Sequence, residues 1–186
     1  MIEVEIKKRA NLDEAEKRLI NSGFLKDTKV RETDIYFDNT AGDIRGNDTA
    51  LRIRTVEYPD SESFMSYITF KGKRYDDVSM TRPEYETSFE HPAEMIKILK
   101  SLGYNPVEPK VTKDRTVYVN GSITACLDRV EGLGDFLELE IITGKDTKND
   151  ALDRLWTMLE ILGYNRDDTT TVSTLVPVTI CTNLSE

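Results

Sequence analysis

Apolar and polar residues alternate one for one along much of this chain. In "IEVEIKKRA", residues 2–8 read as a strand, with Glu3, Glu5 and Lys7 on one face and Val4 and Ile6 on the other. The same period recurs at 33–39, where Asp34, Tyr36 and Asp38 oppose Ile35 and Phe37. It recurs at 50–56, where Arg52 and Arg54 oppose Leu51 and Ile53, and at 66–72, where Thr69 and Lys71 oppose Ile68 and Phe70. Residues 81–89 group Arg82, Glu84 and Glu86, and residues 110–119 group Lys113 and Arg115. Residues 122–132 carry Asp128, and 135–142 set Glu138 and Glu140 against Leu137, Leu139 and Ile141.

Three stretches switch to a helical period. Residues 11–24 have Asn11 as N-cap, Glu14 at the reciprocal capping-box position and Gly23 as stop. Residues 92–104 repeat Met95, Ile98, Leu99 and Leu102 and stop at Gly103. Residues 149–164 repeat Leu152, Leu155, Trp156 and Leu159 and stop at Gly163. The Thr/Val-rich tail, 169–186, reads as a last strand or an irregular packed segment. Asn120-Gly121 is a hairpin signal, and Pro83 marks its strand as an edge or as irregular at its start. The order is strand, helix, four strands, helix, three strands, helix. Hairpin-linked strands predict an antiparallel sheet, and the two halves hint at an internal duplication.

Length and charge narrow the classes. The 186 residues make one sizeable domain, 1–186. A net charge of −9 disfavours general nucleic-acid binding. One histidine, His91, and two cysteines, Cys126 and Cys181, are too few for a structural zinc site, so a metal here is expected to be hard and oxygen-bound. His91 reads as a helix cap, Cys126 as a buried thiol and Trp156 as core. Charges from Glu3 onward argue against a signal peptide, and no apolar stretch approaches the ~20 residues that span a bilayer. The expectation is a cytoplasmic protein with reduced thiols and no membrane partner.

The in-phase polar positions are mostly charged, where an ordinary wet face would mix in Ser, Thr and Gln. The three amphipathic helices need the apolar side of the sheet. A sheet that curls into a barrel with helices outside then turns its charged side inward. Buried charges must pair, stay hydrated or hold a charged ligand. A polyanion carrying metal ions would satisfy both signs.

The ordered segments "EVEIK", "DIYFD", "LRIR", "TFKG", "RPEYE", "KDR" and "LDRVEGLGDFLELE" resemble the CYTH superfamily, the triphosphate tunnel metalloenzymes. The last segment is most similar to the class IV adenylyl cyclase, or CyaB-like, branch. The resemblance implies an α+β fold: an eight-stranded antiparallel β-barrel with a charged lumen and helices packed outside. It implies Mg²⁺ or Mn²⁺ on Glu3, Glu5, Glu138 and Glu140, with Asp128 near. It implies triphosphate contacts from Lys7, Arg52, Arg54, Lys71, Arg82, Lys113 and Arg115. Tyr36 and Lys71 match a pair that helps activate water in members that hydrolyse triphosphate. Lys73 stands where the family often has proline, and "TVSTLV" lacks a tyrosine that many cyclase-like members carry nearby.

The implied substrate is ATP, tripolyphosphate or thiamine triphosphate, and the implied reaction is cyclisation of ATP to cyclic AMP and pyrophosphate, or triphosphate hydrolysis. A non-catalytic polyphosphate- or nucleotide-binding module keeps the cations without turnover. An open sheet with one wet face is the plain structural alternative. The oligomeric state is open, a homodimer included.

Overall fold

The computed structural model describes residues 2–75 and 82–166. The strands are β1 (Ile2–Arg9), β2 (Leu25–Asp38), β3 (Ala50–Tyr58), β4 (Ser63–Lys71), β5 (Arg82–Phe89), β6 (Asn105–Asn120), β7 (Ile123–Val130) and β8 (Gly134–Thr143). The helices are α1 (Leu12–Asn21), the single turn α2 (Asp43–Gly46), α3 (Pro92–Ser101) and α4 (Lys148–Ile161). The strands close into a barrel in the order β1-β5-β4-β3-β2-β6-β7-β8, and each neighbouring pair is antiparallel. The eight-stranded α+β barrel expected from the sequence is therefore present.

Closure explains the helices. Val4 and Ile6 of β1, Ala125 and Leu127 of β7, and Leu137, Leu139 and Ile141 of β8 form an outer apolar surface. Ala15 and Leu19 of α1 and Ala151, Leu155 and Leu159 of α4 cover it. Leu99 of α3 packs on Phe37, Leu51 and Ile53 of β2 and β3. Each fully buried aliphatic side chain of this kind contributes about 1.5–3 kcal/mol. With the apolar phase claimed outside, the charged phase of every strand is left facing the lumen.

Several local expectations shift. Asn11 caps α1, accepting from the Glu14 N–H at 3.0 Å, but the Glu14 carboxylate pairs with Arg18 at 2.5 Å. His91 sits at the N-cap of α3 without a side-chain capping bond. On α3 it is Met95, Ile96 and Leu99 that face the sheet, while Ile98 and Leu102 are exposed. Pro83 is no edge marker: β5 pairs with β4 and with β1, and among the described residues the β1–β5 seam holds Ile2↔Pro83 and Glu3↔Arg82. Asp38 turns out of the lumen to anchor α2, accepting from the Ile44 N–H at 3.0 Å and from Arg45 Nε at 2.6 Å. The last strand or packed segment expected at 169–186 lies outside the described residues. No described helix is long and apolar enough to cross a membrane.

One part of the lumen is not charged. Tyr36, Ala50, Val111, Val130 and Phe136 stand in the same phase as the lumen charges on their strands, yet they meet in an apolar cluster. Arg9 lies 4.9 Å from the Phe136 ring centre and donates to the Leu133 carbonyl at 2.7 Å, closing over that cluster.

Candidate functional site

The cross-strand register assembles the lumen. Asp34 of β2 stands opposite Arg54 of β3, and Arg115 of β6 opposite Asp128 of β7. In the first pair, Arg54 Nε and Nη2 donate to the two Asp34 oxygens, each at 2.7 Å, and Arg52 Nη1 reaches Asp34 Oδ2 at 3.4 Å. In the second, Arg115 Nε and Nη2 donate to the two Asp128 oxygens, each at 2.6 Å, and Lys113 Nζ adds 3.2 Å. The two side-on forks repeat one device in the two halves of the chain. Glu32 links them, 3.0 Å from Arg54 Nη1 and 3.1 Å from Lys113 Nζ.

Neighbouring cations extend this net. Glu138 accepts from Arg115 Nη2 at 2.9 Å and pairs through its other oxygen with Lys7, the residue opposite it in register. Lys71 Nζ lies 3.1 Å from Glu3 and 2.9 Å from Glu84. Thr69 donates to Glu86 at 2.7 Å and accepts from Arg52 Nε at 3.3 Å.

Charges of both signs remain over. Arg82 is 6% exposed and stands opposite Glu3; among the described residues its side chain makes no hydrogen bond or ion pair, although Asp48, Glu5 and Glu84 act on its charge. Glu5 and Glu140 face each other across β1 and β8, and among the described residues neither pairs with a cation. The electrostatics follow. Burial would raise the Asp34 carboxyl, but Arg54 and Arg52 hold it well below the usual carboxylate range. Burial opposes ionisation of Asp128 too, and Arg115 and Lys113 bring it down to about 2. Glu138 is likewise held low by Lys7 and Arg115 against its burial. Glu5 moves the other way, raised by burial and by Glu138. Glu140 is pushed up to about 8 by burial, Glu138 and Glu3.

The sequence-predicted residues therefore fall into groups. Lys7, Arg52, Arg54, Lys71, Arg82, Lys113 and Arg115 all line the lumen, as do Glu3, Glu5, Asp128, Glu138 and Glu140. Asp128 has both oxygens taken up by Arg115 and Lys113. Tyr36 and Lys71 are not joined: the Tyr36 hydroxyl points to Asp34 Oδ2 at 3.5 Å, while Lys71 is held by Glu3 and Glu84. Burial, then Asp34, raises the Tyr36 phenol, and Glu3 and Glu5 keep Lys71 an ammonium despite its burial.

Sequence reasoning missed Glu32, because 25–32 lacks clean alternation. It gave no role to Asp34 or Glu84, although both were in phase with named residues. Cys126 is buried as expected, and it stands on the lumen face, opposite Glu138.

The acidic patch suits a divalent cation. Four carboxylates, Glu3, Glu5, Glu138 and Glu140, stand on two adjacent strands; Glu138 raises both Glu5 and Glu140, and among the described residues neither of those two makes an ion pair. Oxygen donors of this kind suit Mg²⁺ or Mn²⁺.

Residues 1–173 match the CYTH domain family. The chain belongs to that family. CYTH proteins are in general metal-dependent, in keeping with the acidic patch. This CYTH chain is 38% identical over 172 residues to a Methanocaldococcus jannaschii protein provisionally named an adenylate cyclase, covering 90% of this chain and 93% of that one. It superposes on the structure of protein PH1819 from Pyrococcus horikoshii with a TM-score of 0.83 at 34% identity, covering 93% and 96% of the two chains. A Hippeastrum protein, provisionally named an adenylyl cyclase and described as having a dominant triphosphatase activity, shares the fold at a TM-score of 0.64 and 20% identity, covering 92% of each chain.

Proposed function

We propose that this chain is a divalent-metal-dependent enzyme that acts on a triphosphate in the barrel lumen, converting ATP to cyclic AMP and pyrophosphate. The observation that carries the reading is a set of three ionisable groups of opposite sign in one lumen that make no ion pair. Among the described residues the Arg82 side chain makes no ion pair with a carboxylate, and Glu5 and Glu140 make none with a cation. A metal-chelated polyanion supplies both counter-charges at once. The choice of a cyclase follows the name of the Methanocaldococcus jannaschii relative.

In this reading Glu3, Glu5, Glu138 and Glu140 hold the metal. The ion lends Lewis acidity to phosphate oxygens and neutralises charge that develops on the leaving group. Arg52, Arg54, Lys71, Arg82, Lys113 and Arg115 take the phosphate oxygens, and Lys7 stands beside Glu138 to do the same. Asp34 and Asp128 act as positioning residues. Their forks fix two guanidinium planes before substrate arrives, so little reorganisation is needed when charge moves. Cyclisation forms the bond from the ribose 3′-oxygen to the α-phosphorus and breaks the α–β bridge, releasing pyrophosphate and the 3′-hydroxyl proton. Tyr36 and Lys71 are both kept in their protonated forms, so they serve as donors to substrate oxygens rather than as bases.

Triphosphate hydrolysis is the second reading. It is favoured by the activity stated for the Hippeastrum fold relative, and it uses the same cations with water in place of the 3′-oxygen. The chain is offered ATP, tripolyphosphate and thiamine triphosphate side by side, with Mg²⁺ or Mn²⁺, and the products are identified. Cyclic AMP with an equal amount of pyrophosphate supports the cyclase. Orthophosphate from tripolyphosphate or thiamine triphosphate supports the hydrolase. Tight binding without any product supports a binding module and removes both.

A further inference from the structure

The acidic patch is not made of oxygen alone. Cys126 of β7 stands opposite Glu138 of β8 in register, and Thr124 stands opposite Glu140. This places Cys126 Sγ and one carboxylate oxygen each of Glu138 and Glu140 all within 4.8 Å of one another. The thiol is 2% exposed and, among the described residues, has no hydrogen-bond or ion-pair partner. It is thus a buried polar atom without a partner, aimed into a carboxylate cluster.

We propose that Cys126, Glu138 and Glu140 form a site for a thiophilic divalent cation such as Zn²⁺ or Cd²⁺, overlapping the position of the hard ion and competing with it. The proposal rests on the reading of Glu138 and Glu140 as metal ligands.

The chemistry separates two classes of ion. Mg²⁺ demands oxygen ligands in near-octahedral geometry and gains nothing from sulfur. Zn²⁺ and Cd²⁺ accept thiolate readily, and three protein donors with one open position suit Zn²⁺ well. On binding, the Cys126 S–H bond breaks, a sulfur–metal bond forms and the proton leaves to solvent, with no change of oxidation state. Glu138 already accepts from Arg115 and Lys7, one on each oxygen, but each carboxylate oxygen keeps a second lone pair. Among the described residues Glu140 has no ion-paired cation to give up. The expected consequence is that micromolar thiophilic ion displaces the activating ion, with Cys126 deciding between the two.

The test uses the 186-residue chain, stripped of metal, titrated with Cd²⁺ while the ultraviolet thiolate-to-cadmium charge-transfer absorption is followed. The band should appear and saturate at one equivalent. It should persist in Cys181→Ser, which removes the other thiol of the chain, and vanish in Cys126→Ser. Glu140→Gln should keep the band and weaken Cd²⁺ binding at least tenfold, which serves as the check if Cys126→Ser fails to fold. A band that is absent in the wild type overturns the proposal, as does one that survives in Cys126→Ser or needs Cys181. No substrate is present, so the outcome stands apart from the triphosphate reading. A Cys126 band in a chain without turnover leaves this site standing, and turnover in a chain without the band removes it.

Discussion

Single residues in this lumen divide by whether their charge is met. Asp34 is met on both oxygens, so its loss should be felt in the fold. Asp34→Asn leaves Arg54 and Arg52 facing each other across a weakened partner, and a cost of about 3 kcal/mol in urea-unfolding stability is expected. An unchanged midpoint would mean that the fork is not structural. Glu140 is the opposite case, crowded by Glu138 and Glu3 and without an ion pair among the described residues. Glu140→Gln should raise the melting temperature of the metal-free protein at pH 8, where the wild-type carboxylate ionises. Its effect should fade below about pH 4, where Glu140 carries its proton both folded and unfolded. The same variant should lose most of the stabilisation that Mg²⁺ or Mn²⁺ gives. Glu138 lies between these cases: removing it strips Lys7 and Arg115 of a shared carboxylate, so it is the poorer probe of metal binding.

At the scale of elements, period-2 alternation placed all eight strands, because one face of each is committed to a helix or a neighbour outside the barrel. The limits fall where that period breaks. β2 begins at Leu25 rather than 33, and β6 at Asn105 rather than 110. Their pairing carries register shifts between Lys26 and Thr28 and between Asp34 and Tyr36, and such bulges scramble the alternation that a sequence can display. Glu32 was hidden for this reason. Meeting points set by register were also beyond reach: nothing in the spacing of Cys126 and Glu138 says that they face each other. Turns were more legible. Gly121 takes φ +60° between β6 and β7, and a Cβ there would meet no atom within 4 Å. Gly121→Ala should therefore cost only the left-handed backbone penalty, about 1 kcal/mol. A larger loss by chemical denaturation would point to a contact that the geometry does not contain.

For the molecule as a whole, the lumen makes stability depend on pH from both sides. Asp128 titrates at about 2 in the folded chain, against roughly 3.9 unfolded. Its contribution is full above the unfolded value and is lost as pH falls from about 4 through 2. Glu140 titrates at about 8 when folded, against roughly 4.3 unfolded, so its contribution is full below the unfolded value and is lost as pH rises through 8. The metal-free protein should be most stable near pH 4–5 and weaken steadily towards pH 8. A saturating divalent cation should cancel the upper loss and leave the lower one. Thermal melts across pH with and without Mg²⁺ read both limbs. Identical profiles in the two conditions would remove the ion from this patch. The charged lumen itself was legible from in-phase charges, whereas the apolar cluster around Tyr36 and Phe136 was not, because its members belong to five different strands. The central claim is that this lumen turns over a metal-bound triphosphate. It is tested most directly by a time course of ATP with Mg²⁺ or Mn²⁺, scored for cyclic AMP and pyrophosphate in the wild type and in Arg54→Ala. The account predicts equal amounts of the two products, and a loss of about a hundredfold in kcat/KM for the variant. Intact ATP with either ion, or a variant as fast as the wild type, would contradict it.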